Sequence, residues 1–347
     1  MSRVKNGQPT RTSITMKDVA RLADVSQSTV SRVLSASSST AVPISEETAQ
    51  RINDAVKQLG YYPNLTARAL RGQKTHMIAM MIADIANPYY HLMVRKVQEV
   101  ARQHNYDVLI SISNHEKDNE LHFIEAMMRR PVDGVILTPY HLTDVDLSKL
   151  IERTNVPVTV LSRRFANMPV DGIFADDFLA TYETTQWLIR ERKHERIAFI
   201  GVPGTRPGER RAQAFLKAMK EAGLPVPAKY QKGGDFGSEA GEKVMRELMA
   251  LKSPPTAVFA CNDLMALGCI AVAQDLGLRV PEDVAVVGFD DIPEAARMRP
   301  RLTTVAQHPL AMGEKLAQAL FERIEGHVSG EARLLEVPCK LIVRESA

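Results

Sequence analysis

Cysteine is scarce in this chain. Cys261, Cys269 and Cys339 are the three among 347 residues, and no two make a CxxC pair, so a disulfide framework is excluded and each is expected as a reduced core residue. No apolar run reaches the length of a bilayer span, and Met1 to Ser13 is polar and basic without a signal-peptide core. Membrane insertion is therefore not expected, and the protein is read as cytoplasmic. There is no GxSxG, HExxH or P-loop, which removes those signatures of hydrolase, metalloprotease and nucleotide chemistry, and no cofactor or metal site is expected. Nothing like a heptad zipper precedes Ala347.

What is present is unevenly distributed. With 45% apolar residues and this length, the chain can build two or three cored domains. Its formal net charge is +3, yet residues 1–75 hold 11 Lys and Arg against 5 Asp and Glu, while the remainder holds 33 against 36. A basic module joined to a near-neutral one is the division expected when the first meets a polyanion and the second meets something else.

The basic module opens with Thr15 to Leu34, which writes two short helices about a tight turn. Thr15 with Asp18 three residues on is a capping box, and Met16, Val19, Ala20 and Ala23 share one face. Ser26 can cap the second helix. Its Val30, Val33 and Leu34 point inward, leaving Gln27, Ser28, Thr29, Ser31 and Arg32 outside. Such a face can read base edges in a major groove; the plain alternative is a helical hairpin with a solvated polar side. Ser45 to Gly60 adds a third amphipathic helix carrying Ile52, Ala55, Val56 and Leu59, with Gly60 as its stop. Tyr61 to Gly72 is a helix-capable piece too short to be stable alone.

The runs Met16-Lys17-Asp18-Val19-Ala20, Val25-Ser26 with Thr29-Val30-Ser31-Arg32, Gly60-Tyr61 with Pro63-Asn64, and Ala67-Arg68-Ala69-Leu70 resemble the LacI/GalR family of bacterial transcription repressors. The resemblance continues from about Ile14 to the C-terminus. It implies a repressor that binds a pseudo-palindromic double-stranded operator as a homodimer, without a zippered tetramer. Gln27, Ser28 and Arg32 would then read bases, while Thr29 and Ser31 contact phosphate or support the helix and Thr15 joins the DNA-facing set. Asn64, Ala67, Arg68 and Leu70 would make hinge contacts, with Leu70 wedged into a minor-groove step.

From Thr75 onward strands and helices alternate. Met77 to Ala83, Asp107 to Ser113, Val132 to Leu137 and Val158 to Leu161 read as buried strands, and a second set lies near Ile173-Phe174, Ile197 to Ile200, Ala257 to Ala260 and Val284 to Val287. Two doubly wound parallel α/β halves are expected, facing a shared cleft at the carboxyl ends of their strands. The resemblance implies a periplasmic-binding-protein-like core. The expected organisation is a disordered tail at 1–13, a helix-turn-helix domain at 14–62, a hinge helix and linker at 63–75 and the core at 76–347. Within the core, the first subdomain is expected at about 76–172 and 306–330, and the second at 173–305 and 331–347. Thr303 to Gln307 is read as a crossover to the first half, and Leu334 to Val343 as a last strand of the second.

Polar residues at strand ends are the candidate ligand contacts. By the resemblance, Tyr89, Tyr90, Arg211, Phe236, Asn262 and Asp290 stand at effector-binding positions. Arg211 and Asp290 can clamp vicinal hydroxyls, Asn262 can donate and accept, and the rings can stack, a set that suits a sugar or nucleoside. For each, the alternative is a helix cap or a structural ion pair. Ser162 stands where many family members carry Asp, and Arg163 and Arg164 beside it can favour an acidic or phosphorylated ligand or be merely solvated. Three further departures are Ala214 for a usual Gly, a longer Ser-rich loop at Ser35 to Pro43, and Asp24 in the turn, where a left-handed backbone is required. Two rival readings stay open: an enzyme using Asp290 and Asp291, which are adjacent rather than facing, and control by a protein co-regulator such as a phosphocarrier. Whether a ligand induces or corepresses is also open.

Overall fold

The computed structural model describes residues 14–34, 44–61 and 74–347. The expected N-terminal tail, the Ser-rich loop and the hinge candidates Asn64, Ala67, Arg68 and Leu70 lie outside the described residues. The chain divides after Thr75 into two compact units.

The first unit holds α1 (Met16–Leu22), α2 (Gln27–Leu34) and α3 (Glu46–Leu59). The capping box forms: the Asp18 carboxylate accepts from the Thr15 amide at 3.0 Å and from the Thr15 hydroxyl at 2.7 Å. Ser26 Oγ accepts from the Thr29 amide at 3.1 Å to start α2, and Asp24 takes the left-handed backbone that the turn demands, with φ 52°. Gly60 closes α3 at φ 61°, a conformation in which a side chain would be strained. Val19, Val30 and Ile52 are fully buried and packed with Ala20, Ala23, Ala55 and Tyr61, so one residue or more from each helix makes the core.

In the second unit, β1 (Met77–Ile82), α4 (Pro88–Gln103), β2 (Asp107–Ile112), α5 (Lys117–Met127), β3 (Gly134–Leu137), α6 (Asp144–Thr154), β4 (Val158–Leu161) and β5 (Asp171–Phe174) come first. They are followed by α7 (Asp177–Arg190), β6 (Ile197–Gly201), α8 (Arg206–Glu221), β7 (Gln231–Gly233), α9 (Ser238–Met249), β8 (Ala257–Ala260), α10 (Asp263–Asp275), β9 (Ala285–Asp290) and β10 (Thr303–Ala306). The chain ends with α11 (Pro309–Ile324), β11 (Leu334–Glu336) and β12 (Lys340–Ile342). Two six-stranded sheets result, ordered β11-β5-β4-β3-β1-β2 and β12-β10-β9-β8-β6-β7. All pairings are parallel except that of β10 with β12.

The buried parallel strands explain why the sequence there is apolar without alternation. In β1, Ile78, Met80 and Ile82 enter one core cluster and Ala79 and Met81 enter another, so both faces of the sheet are covered. Helix α11 packs against α4 and against β3, β4 and β5 of the first sheet. No helix of the described residues is long and apolar enough to cross a membrane.

The pairing corrects four expectations about the halves. The strand at Ile173-Phe174 belongs to the first sheet, through Thr159↔Asp171 and Leu161↔Ile173, so the chain crosses after Phe174 rather than at 172. Thr303–Ala306 is itself a strand of the second sheet, paired with β9, and the return follows it at Gln307-His308. Leu334 to Val343 is two strands: β11 pairs with β5 in the first sheet and β12 with β10 in the second. The last crossing therefore lies between Glu336 and Lys340, not near 330. Local pattern marks a strand, but long-range pairing decides which sheet receives it.

Candidate DNA-reading helix and ligand cavity

On α2, Gln27 and Ser28 are exposed, while Thr29, Ser31 and Arg32 are half-buried. Ser26 Oγ is shared by the hydroxyls of Ser28 at 2.7 Å and Thr29 at 2.8 Å, besides the Thr29 amide. Thr29 is thus tied into the helix start, and Thr15 into the start of α1 through Asp18. Gln27 and Ser28 are left as the side chains most open on the helix that a major groove would accept.

In the second unit, the segments that follow β1 to β10 converge on one cavity of about 160 Å³. This is the cleft where α/β sheets present their strand ends. All eight residues singled out in the sequence line it: Tyr89, Tyr90, Ser162 and Arg163 from the first sheet's loops, and Arg211, Phe236, Asn262 and Asp290 from the second's.

The first sheet supplies most of the aromatic wall. Asn87 caps α4 by accepting from the Tyr89 amide at 3.0 Å, which fixes Tyr89 and Tyr90 on the first turn with their rings edge to face at 5.2 Å. The Tyr90 and Tyr140 hydroxyls meet at 2.5 Å. His115, after β2, stacks on Phe236 with ring centres 4.9 Å apart, and Tyr140 meets the same Phe236 edge-on at 5.9 Å. Burial raises the Tyr89 and Tyr90 hydroxyls well above the ordinary tyrosine value, so both remain neutral groups; burial likewise lowers His115 and favours its neutral ring.

The second sheet supplies most of the charge. Arg211 is 5% exposed, donates through Nη1 to the Cys261 carbonyl and lies 3.7 Å over the Phe289 ring. Its Nε is 3.7 Å from Asp177 Oδ2, and among the described residues that nitrogen has no hydrogen-bond acceptor. Asp290 accepts from Gln307 Nε2 at 2.6 Å. Its backbone is left-handed at φ 126° and that of Asp291 at φ 56°, a costly pair of conformations for side-chain-bearing residues. The turn sends Asp290 to the cavity and Asp291 to Arg344, at 2.5 Å. Below them Asp263 accepts from Thr304 Oγ1 and from the Ile292 amide at 2.9 Å. Gly288 makes room for it, since a β-carbon there would stand 2.2 Å from Asp263 Oδ1. Burial raises the carboxyls of both Asp263 and Asp290 above the ordinary aspartate value, although Arg211 and Gln307 act the other way on Asp290.

Three details add to the sequence reading. Arg211 and Asp290 line the same cavity, and the ion-pair partner of Arg211 is Asp177. Asn262 is a helix cap as well as a cavity residue: it accepts from the Met265 amide at 3.0 Å and donates to the Phe236 carbonyl at 2.7 Å, fixing the ring beside it. Arg164 turns away to the Leu142 carbonyl at 2.8 Å, whereas Arg163 stays at the cavity, over the Phe174 ring. The sequence reading missed His115, Tyr140, Asp177, Arg206, Arg210 and Gln307. Four of them follow β2, β3, β5 and β10, so the rule that found Asn262 and Asp290 would have found these too.

Comparison with known proteins agrees with both units. Residues 15–64 match the bacterial regulatory proteins of the lacI family, and residues 188–347 match the periplasmic binding protein-like domain. The HTH-type transcriptional repressor CytR of Escherichia coli (strain K12) is 34% identical over 338 residues, which cover 96% of each chain. Among solved structures, a transcriptional regulator CelR–cellobiose complex is 31% identical with a TM-score of 0.70, covering 96% of this chain and all (100%) of that one. The Lac repressor dimer bound to operator and the anti-inducer ONPF is 26% identical with a TM-score of 0.80, covering 96% and 98%. These relatives are named as regulators of transcription, not as enzymes. With a helix-turn-helix unit, a two-sheet core and a match along nearly its whole length, this chain belongs to the lacI family of bacterial regulatory proteins and is a transcriptional repressor with an N-terminal DNA-binding domain.

Proposed function

We propose that the protein is a homodimeric repressor whose grip on a pseudo-palindromic operator is set by a small ligand, a sugar or related metabolite, in the core cavity. The observation that carries this reading is the convergence of ten strand-end segments, with their aromatic, amide and charged side chains, on one cavity between the sheets. A ligand touching both walls binds the closed arrangement of the two halves better than an open one, and that difference is what shifts a two-state equilibrium. On DNA, α2 enters the major groove with Gln27, Ser28 and Arg32 toward base edges, while Thr15, Thr29 and Ser31 lie toward the backbone. Asn64, Ala67, Arg68 and Leu70 extend the contact to the minor groove at the operator centre. The named complexes of relatives, one with cellobiose and one of a dimer with operator, support the same division of labour.

The test selects an operator from random duplexes and measures its affinity by fluorescence anisotropy with and without candidate ligands. An active ligand is expected to change DNA affinity by roughly 5–150-fold. In Arg211→Ala, which removes the buried guanidinium, operator binding persists and the ligand response is lost. A full response in that variant would remove the cavity from the mechanism.

A further inference from the structure

The cavity is not electrically balanced, and the imbalance falls on one side chain. Arg163, Arg206, Arg210 and Arg211 line it, against Asp177 and Asp290, with Asp176 just behind. Arg210 is occupied: Nε donates to Asp177 at 2.8 Å and Nη2 to Asp176 at 3.3 Å. Arg163 leans on the same Asp176 at 4.0 Å, and Arg211 on Asp177 at 3.7 Å. Two carboxylates, Asp176 and Asp177, thereby hold three of the four guanidiniums. Arg206 is the one left over: among the described residues it makes no ion pair and no hydrogen bond, although Asp144 and Glu209 pull weakly on it. Partial burial, and after it the cationic neighbours Arg164 and Arg210, lower its hold on its proton. The field at this point is positive and unspent.

Two further features have the same sign. Arg206 and Pro207 are the first residues of the 16-residue helix α8, so the positive end of that helix faces the cavity. The fully enclosed Arg211 Nε also has no acceptor among the described residues. Arg206 is exposed; a neutral polyol that covered it would satisfy hydrogen bonds but withdraw its guanidinium from water without supplying a counter-charge. An anion satisfies both.

We propose that the ligand of this cavity carries an anionic group, a phosphate monoester or a carboxylate, seated against Arg206 at the start of α8, with its ring on the aromatic wall. This deepens the ligand-gated reading above and rests on it. The ligand class is thus an acidic derivative of a sugar or nucleoside, and Arg206 is the residue that distinguishes it from the neutral parent.

Isothermal titration of the full-length protein with matched pairs tests this: ribose and ribose 5-phosphate, glucose and glucose 6-phosphate, glucose and glucuronate, cytidine and cytidine 5′-monophosphate, with inorganic phosphate alone beside them. In at least one pair the charged member is expected to bind about tenfold or more tightly than the neutral one. The phosphate and glucuronate arms tell which anion is read. Arg206→Gln shrinks the preference, Arg206→Glu reverses it, and rising salt weakens it in the native protein. Thermal melts of both variants establish that they fold. Equal binding within every pair that binds overturns the proposal and leaves the ligand-gated reading standing, as does a preference that survives Arg206→Glu. Absence of binding by every charged member also overturns it, and the neutral members then decide whether the ligand-gated reading falls with it.

Discussion

Each of the two sheets buries aspartate, and the two treat it in opposite ways. In the first, Asp171 has no exposure and accepts from Arg323 Nε and Nη2 at 2.8 and 2.6 Å, from Arg333 Nη2 at 2.7 Å and from the Arg333 amide at 3.0 Å. Burial alone would raise its carboxyl, but the hydrogen bonds of Arg323 and Arg333 outweigh burial and hold it at about 2. In the second, Asp290 has one side-chain donor, Gln307, and burial wins, so its carboxyl is raised. A buried acid whose lone pairs are filled by the protein is a fastening; one left short of donors at a cavity wall still has bonds to give. Asp171 fastens β5 to α11 and to the segment that enters β11, the two places where the chain returns to the first sheet. Asp290 stands where a ligand's hydroxyl would arrive.

The largest effect should come from breaking the fastening. Asp171→Asn keeps the shape but removes the charge that two guanidiniums surround, and breaking one partner of such a buried pair costs about 3–5 kcal/mol. Urea unfolding of the variant is expected to shift by that amount, with ligand contacts untouched. Because the folded value of Asp171 lies below the ordinary 3.8, its contribution is complete above that value and disappears as pH falls through about 2. The variant should lose this acid limb of the stability curve. A variant as stable as the native protein at neutral pH would show that the two arginines do not need the charge.

Asp290→Asn should separate the two acids by the sign of the change. A raised carboxyl holds its proton more readily in the folded chain than in the unfolded one. Its ionisation is therefore a cost, absent below 3.8 and growing as pH rises through the raised value. Removing the acid relieves that cost at neutral pH, so stability should hold or rise while ligand affinity falls by about 1.5–3 kcal/mol, the worth of a charge-assisted hydrogen bond. Calorimetric melts at several pH values, paired with ligand titration, check both halves. Stability that falls as steeply as in Asp171→Asn would make Asp290 a second fastening.

How much of this could be read from residues depended on range. The capping box of Thr15 and Asp18, the left-handed Asp24 and the Gly60 stop are local consequences of backbone sterics and hydrogen bonding, and each was legible. The eight cavity side chains were legible by two routes: polar residues such as Asn262 and Asp290 stand out at the end of a buried strand whichever sheet the strand joins, whereas Phe236 was placed by the family resemblance alone. The allocation of β5 and β11 was not legible: Gly172, Ile173 and Phe174 read the same beside β4 as they would beside a strand of the second sheet, and only the register with Thr159 and Leu161 decides. Nor was the role of Asp171, whose partners lie 152 and 162 residues away. Asn262 was legible as a ligand contact or a helix cap, and it caps α10, but its bond to the Phe236 carbonyl, 26 residues away, was not legible.

The smallest predicted effect sharpens the comparison most directly, since it asks whether Asp290 differs from Asp171 through its shortage of donors. Gln307 sits at the crossing from β10 to α11 and gives Asp290 its side-chain hydrogen bond, a donor that favours the ionised form. Gln307→Ala removes the donor and should raise the Asp290 carboxyl further, an effect worth about 1 kcal/mol, which carbon-13 NMR of the labelled side chain can follow through a pH titration. Stability at neutral pH should fall slightly, because the ionised carboxylate has lost its donor, and the loss should disappear in the double variant with Asp290→Asn, where no charge needs it. If Asp290 titrates at the same place with and without Gln307, its raised value comes from burial alone, and the count of donors does not separate the two acids.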